Sequence, residues 1–252
     1  MPAATNPLQF FSAKSGIYER FIHSVGYPQG LRAHFDRSRL LRPGLRVLDA
    51  GCGTGVLSLA VREASLRRGF SPGVINAFDL TPAMLERFSR AIKNRGIEGI
   101  ELAQCNVLQL EALHESWNNY QLVVSASMME YLPRSEFSGA LRGLRERLTH
   151  DGALVLFITR RNLVTRPLIG RWWRSNLYTA AELRAAFREA GFAKAAFSRF
   201  PFPYGYLNLW GYIVEATMGD FDLRIQKSGV SHPADSSGAV LESRLDRILC
   251  PA

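Results

Sequence analysis

The chain has 252 residues, 47% of them hydrophobic and 21% charged, which is enough apolar material for the packed core of one large domain and excludes global disorder. Lys and Arg outnumber Asp and Glu by 31 to 22, a net charge of +9. That excess is compatible with nucleic acid, an anionic membrane or an acidic substrate and does not choose among them. No apolar run approaches the ~18 residues a bilayer-spanning helix needs. The opening MPAATNPLQFFSAK has neither a basic n-region nor a long apolar h-region, so no signal peptide is expected. Cys52, Cys105 and Cys250 are odd in number and lack metal-ligand spacing. They read as reduced thiols of a cytoplasmic protein.

Residues 7–40 have helical spacing interrupted by Pro28 and Gly30, which predicts two helices there. Pro43-Gly44 is a turn, followed by a first strand over 45–50 and a helix over 54–68. A second strand, 74–79, ends in Asp79; Thr81 as N-cap and Pro82 at the first helical position then predict a helix to Lys93. Further strands are predicted at 100–103, 120–125 and 153–158. Helical spacing at Phe137, Leu141, Leu144 and Leu148 precedes the last of these, with Asp151-Gly152 read as a turn. A helix over 179–190 closes at Gly191, and 192–200 with 210–216 read as a final strand pair. Strands alternating with helices at this rhythm predict an α/β, doubly wound Rossmann-like sheet. Its ligand should lie beyond the carboxyl ends of the strands, where Asp49, Asp79 and Ser125 fall.

The sharpest signal is Val47-Leu48-Asp49-Ala50-Gly51-Cys52-Gly53-Thr54-Gly55, an apolar strand ending in an acid and three alternating glycines. A dinucleotide site uses G-x-G-x-x-G to seat a pyrophosphate on helix amides. Here the spacing is G-x-G-x-G behind a carboxylate, which suits a ligand bearing an ammonium. VLDAGCGTG resembles the first motif of the class I S-adenosylmethionine-dependent methyltransferases, and the likeness covers residues 40–218.

That resemblance implies a seven-stranded sheet with a C-terminal antiparallel hairpin and an N-terminal helical cap. It divides the chain into the cap (1–40), a methyltransferase domain (41–218) whose residues 159–178 form a substrate-side connector or lid, and a tail (219–252). It implies S-adenosyl-L-methionine as cofactor. Asp49, Gly51, Cys52, Gly53, Ser125 and Ala126 would meet the methionine end. Asp79 would hold the ribose hydroxyls, with Leu80 and Met84 along the adenosine. Asn106 and Val107 would meet the adenine, Asn106 departing from the family's usual Asp there. Tyr18 would close over the cofactor, an alternative being a core aromatic.

Methyl transfer from a sulfonium needs alignment and sometimes a base. Glu130 and Tyr131, after the fourth strand, are the catalytic candidates; Glu130 reads equally as a structural or cofactor-contacting acid. No N-P-P-Y or D-P-P-Y follows that strand, so nucleobase amines are not expected acceptors, and no RNA-binding signature suggests nucleic acid. His23 and His34 are the histidines nearest the expected substrate side. Residues 165–174 interleave Arg166, Arg171 and Arg174 with Trp172 and Trp173. They read as a lid for an amphiphilic substrate, a contact with an anionic membrane, or a packed connector. A small-molecule acceptor, hydrophobic or lipid-like, is the expected partner. A non-catalytic cofactor-binding protein of the same fold is the alternative.

Overall fold

The computed structural model describes residues 20–163, 165 and 175–219. Seven strands form one sheet in the order β3-β2-β1-β4-β5-β7-β6. They are β1 (Arg46–Ala50), β2 (Val74–Asp79), β3 (Ile100–Gln104), β4 (Tyr120–Ala126), β5 (Leu148–Thr159), β6 (Lys194–Ser198) and β7 (Gly211–Thr217). The β1 to β5 pairings are parallel, while β7 runs antiparallel between β5 and β6. The chain order reverses at β1/β4, which places the binding crevice beyond the carboxyl ends of those two strands.

Helices α1 (Tyr27–Arg37), α2 (Val56–Arg67), α3 (Pro82–Asn94), α4 (Phe137–Glu146) and α5 (Ala180–Glu189) cover the sheet. The parallel strands are buried on both faces, so their side chains feed two cores in alternation. Leu48, Ala50 and Val123 pack with Leu141 and Leu144 of α4 and Phe187 of α5. Val47, Leu122 and Val124 pack with Leu31 and Phe35 of α1 and Leu57 and Val61 of α2. Each of the buried Leu, Val and Phe side chains contributes about 1.5–3 kcal/mol of transfer free energy.

Two sequence expectations are corrected. The break among the N-terminal helices lies at Gly26, whose φ is +66°, and not at Pro28 or Gly30. Pro28 sits in the first turn of α1, where its missing N–H has no intrahelical partner to lose. Gly30 lies within α1 and is small because α1 packs closely on Leu207, which a Cβ there would strike. Asp151-Gly152 is not a turn but part of β5, which crosses an irregularity in its pairing with β4 between Tyr120 and Leu122. Asp151 is held there by Arg42 at 2.9 Å and the Thr149 hydroxyl at 2.8 Å, and a Cβ at position 152 would lie 2.9 Å from the Tyr120 carbonyl.

Candidate functional site

Beyond β1 the chain turns through Gly51, Gly53 and Gly55, all at positive φ (+73°, +54° and +86°). The Gly51 and Cys52 N–H groups both donate to the Phe78 carbonyl at 2.9 Å, which ties the turn to β2. A Cβ on Gly55 would stand 2.0 Å from the buried Phe88 ring, so glycine is required for the turn to seat on α3. Gly53 is different: a Cβ there would meet nothing within 4 Å, and the residue lines a cavity. Its backbone is bare for a ligand to approach.

That cavity, about 1060 Å³ and partly open, runs across the tips of β1, β2, β3 and β4. It collects Gly51, Cys52, Gly53, Asp79, Leu80, Met84, Asn106, Val107 and Ala126 from the sequence expectations. Thr54, Phe78, Thr81, Cys105, Ser127 and Met128 also line it, residues to which the sequence reading gave no cofactor contact.

Asp79 is the carboxylate that faces the cavity. One oxygen accepts the Gly53 N–H and the other the Thr81 N–H, each at 2.8 Å. Thr81 occupies the N-cap position of α3, but its side chain makes no cap hydrogen bond, so the local anchoring falls to Asp79. Burial raises the Asp79 pKa, opposed by those hydrogen bonds. Each carboxylate oxygen retains further acceptor capacity, which two vicinal hydroxyls can use. Leu80, Met84 and Val107 add apolar wall. Asn106 accepts the Leu108 N–H at 3.0 Å with its side-chain carbonyl, which leaves its amide N–H₂ to donate.

Asp49 does not line the cavity. It is fully buried behind the glycine turn, where one oxygen accepts the Ser58 N–H at 2.9 Å and the Ser58 hydroxyl at 2.6 Å. Ser58 is the third residue of α2, so Asp49 satisfies a helix-terminal donor in place of a local cap. The position of Asp49 behind the turn has a topological cause. Alternation along β1 turns Asp49, like Val47, toward the α1/α2 face and away from the strand tips. The other Asp49 oxygen has no protein partner, and burial lifts this carboxyl to about 7. With the Ser58 N–H already engaged, this helix end is less available to a pyrophosphate.

Ser125 is likewise off the cavity: fully buried, its hydroxyl donates to the Ala50 carbonyl at 2.8 Å and fastens β4 to the end of β1. The chain then passes Ser127, at φ +54°, into a short 3-10 turn, Met129–Tyr131. A second cavity of about 660 Å³ adjoins the first there and shares Ile22, Tyr27, Ser127 and Tyr131 with it. Glu130 lines only this second cavity, and Tyr131 stands at the junction. Both Glu130 oxygens accept from Thr159, from its N–H and its hydroxyl, each at 2.8 Å. Burial pushes the Glu130 carboxyl up to about 7 despite those bonds.

The remaining second-cavity walls come from far apart in the chain, including Phe21, Phe157, Phe200 and Trp210. Sequence reading missed them because none belongs to a local motif. His34 does not reach either cavity. It is buried between Phe35 and Phe157 at 3.6 Å from Glu215, and burial lowers its pKa to about 4. His23 is exposed and also off both cavities. Tyr18 and the Arg166–Arg174 stretch with Trp172 and Trp173 lie outside the described residues, as do 220–252.

A doubly wound sheet with one reversed strand, whose glycine turn and β2 carboxylate border one cavity at the strand tips, defines a class I methyltransferase fold. Residues 47–152 match the family described as the methyltransferase domain. The chain is 29% identical over 146 residues to aklanonic acid methyltransferase DauC of a Streptomyces strain, covering 58% of this chain and 61% of that one. It is 25% identical over 122 residues to a malonyl-[acyl-carrier protein] O-methyltransferase of Anoxybacillus flavithermus, covering 48% and 41%. The chain therefore spans about four-tenths to two-thirds of the length of the curated relatives it matches. Among solved structures, magnesium protoporphyrin IX methyltransferase of Synechocystis with bound S-adenosylhomocysteine superposes with a TM-score of 0.62. The identity is 19%, over 84% of this chain and 98% of that one, a likeness of fold. Over residues 47–152 the chain is thus similar to methyltransferase domains, and its fold is that of the class I S-adenosylmethionine-dependent enzymes.

Proposed function

We propose that the chain binds S-adenosyl-L-methionine in the first cavity and transfers its methyl group to a small hydrophobic acceptor in the second. The observation that carries this reading is the adjacency of the two cavities through Ile22, Tyr27, Ser127 and Tyr131. A donor and an acceptor must meet end to end for an in-line displacement, and alignment alone supplies much of the rate.

The residues present fit the cofactor. Bare backbone at Gly53 admits a close ligand, Asp79 offers carboxylate oxygens at the β2 tip, and Leu80, Met84 and Val107 give an apolar bed. The unpartnered, buried Asp49 oxygen lies behind the same turn and adds negative potential there when ionised. Bound, the cofactor supplies an electrophilic methyl on a sulfonium, a good leaving group. The protein then has three tasks: to orient the acceptor, exclude water and hold a proton. Tyr131 stands where the two ligands would meet. Glu130, whose oxygens keep lone pairs beyond those used by Thr159, is placed to hold the proton an acceptor hydroxyl releases.

One observation favours a second reading, a cofactor-binding protein without turnover: both Glu130 oxygens are already engaged by Thr159. Incubating the protein with methyl-labelled cofactor and cell extract, and following label into extract molecules by mass spectrometry, separates the two. Labelled product supports transfer; cofactor binding with no labelled product supports the second reading.

A further inference from the structure

The second cavity is walled largely by aromatic and aliphatic side chains, with one acid among them. Tyr27 and Phe200 stand 6.2 Å apart between ring centroids, Phe157 and Phe200 6.0 Å, and Phe21 and Trp210 6.5 Å in an edge-on arrangement. Rings so disposed offer faces and edges to a planar guest. Against them, Glu130 is the one ionisable carboxyl among the described lining residues, and it is 2% exposed. No described lining residue is Lys, Arg or His. An anionic guest would thus meet a buried carboxyl and low-dielectric walls with no cation among the described lining residues, the nearby Arg160 guanidinium being turned over the Tyr212 ring at 5.1 Å.

Resting on the proposed function, we infer that the acceptor is a planar, uncharged aromatic hydroxyl compound, and that Glu130 selects against aryl carboxylates of the same size. A neutral hydroxyl can lie beside Glu130 and donate to it. A carboxylate there would place two like charges in one dry space.

The test uses the full chain saturated with S-adenosylhomocysteine and titrated calorimetrically with 1-naphthol and with 1-naphthoate, matched probes that differ in charge. We expect 1-naphthol to bind about tenfold tighter or more than 1-naphthoate, a modest outcome for an unpaired buried charge. Equal binding, or tighter 1-naphthoate, overturns the inference. Glu130→Gln, which keeps an acceptor for Thr159, should bring the two affinities closer by several-fold; an unchanged ratio overturns the role given to Glu130. Trp210→Ala should weaken 1-naphthol by about tenfold through lost ring contact while leaving S-adenosylhomocysteine affinity intact, and it reads out the slot without touching Glu130. If S-adenosylhomocysteine binds and neither naphthyl probe does, the acceptor class is wrong and the cofactor reading stands. If S-adenosylhomocysteine itself fails to bind, both fall.

Discussion

Asp49 and Ser58 are joined twice: one carboxylate oxygen takes both the backbone N–H and the hydroxyl of the serine, at 2.9 and 2.6 Å, with both residues wholly buried. The pair anchors the start of α2 to the end of β1 and thereby fixes the glycine turn between them. Asp49→Ala strands a buried N–H and a hydroxyl, so unfolding free energy should drop by about 1–3 kcal/mol. Asp49→Asn keeps an acceptor and should cost less. Urea denaturation of the two variants checks the order; equal losses would show that the carboxyl's bonds to Ser58 are not what matters.

The glycines of the turn should respond unequally to alanine. At Gly55 a methyl would drive into the fully buried Phe88 ring, and the φ of +86° adds strain, so Gly55→Ala should be severely destabilising. Gly51→Ala meets Met128 at 2.3 Å from its Cγ. Met128 lines the first cavity, so its displacement should reduce ligand affinity as well as stability. Gly53→Ala meets no neighbour and carries mainly the strain of positive φ, about 1 kcal/mol. Thermal melts should rank the variants with Gly55→Ala lowest and Gly53→Ala highest.

Glu130 sets a signed pH dependence. Its folded pKa is raised to about 7 from 4.5, so the folded state holds a proton the unfolded state has lost between those values. Stability from this group is fully present below about 4.5 and falls as pH rises through about 7. The swing is of order 3 kcal/mol at most. Asp49 acts in the same direction, whereas His34, lowered to about 4, contributes stability above 6.5 that is lost toward pH 4. The wild-type profile mixes these, so the comparison with Glu130→Gln isolates the one group. Relative to the variant, the wild type should lose stability between pH 5 and 8; parallel melting profiles would contradict the raised pKa of this buried carboxyl.

The legible part of the site was local in sequence. A strand, an acid and spaced glycines within nine residues announce the turn, and Asp79 follows from a second strand ending in an acid. What those residues face was harder. Asp49 and Asp79 look alike as strand-end acids, yet one turns under α2 and the other into the cavity, because the face of a strand residue depends on which helix packs there. Thr81 looked sufficient as a cap, and its side chain makes no cap bond. The acceptor side was least legible: Ile22, Tyr27, Phe157 and Trp210 lie up to the full length of the domain apart and meet only after β7 inserts beside β5. The doubly wound class was readable because alternating strands and helices constrain topology, while the antiparallel hairpin came from the family resemblance. The break at Gly26 was not, since Pro28 is a common breaker that here begins a helix.

Calorimetric titration of the protein with S-adenosylhomocysteine tests the central claim most directly, with NADH as comparator and Asp79→Ala beside the wild type. Saturable binding of S-adenosylhomocysteine, none of NADH, and at least about a tenfold loss in the variant are expected, the last because hydrogen bonds to a charged group are worth about 1.5–3 kcal/mol. NADH binding in place of the adenosyl ligand, or an Asp79→Ala variant that folds and binds S-adenosylhomocysteine as well as the wild type, would contradict the account.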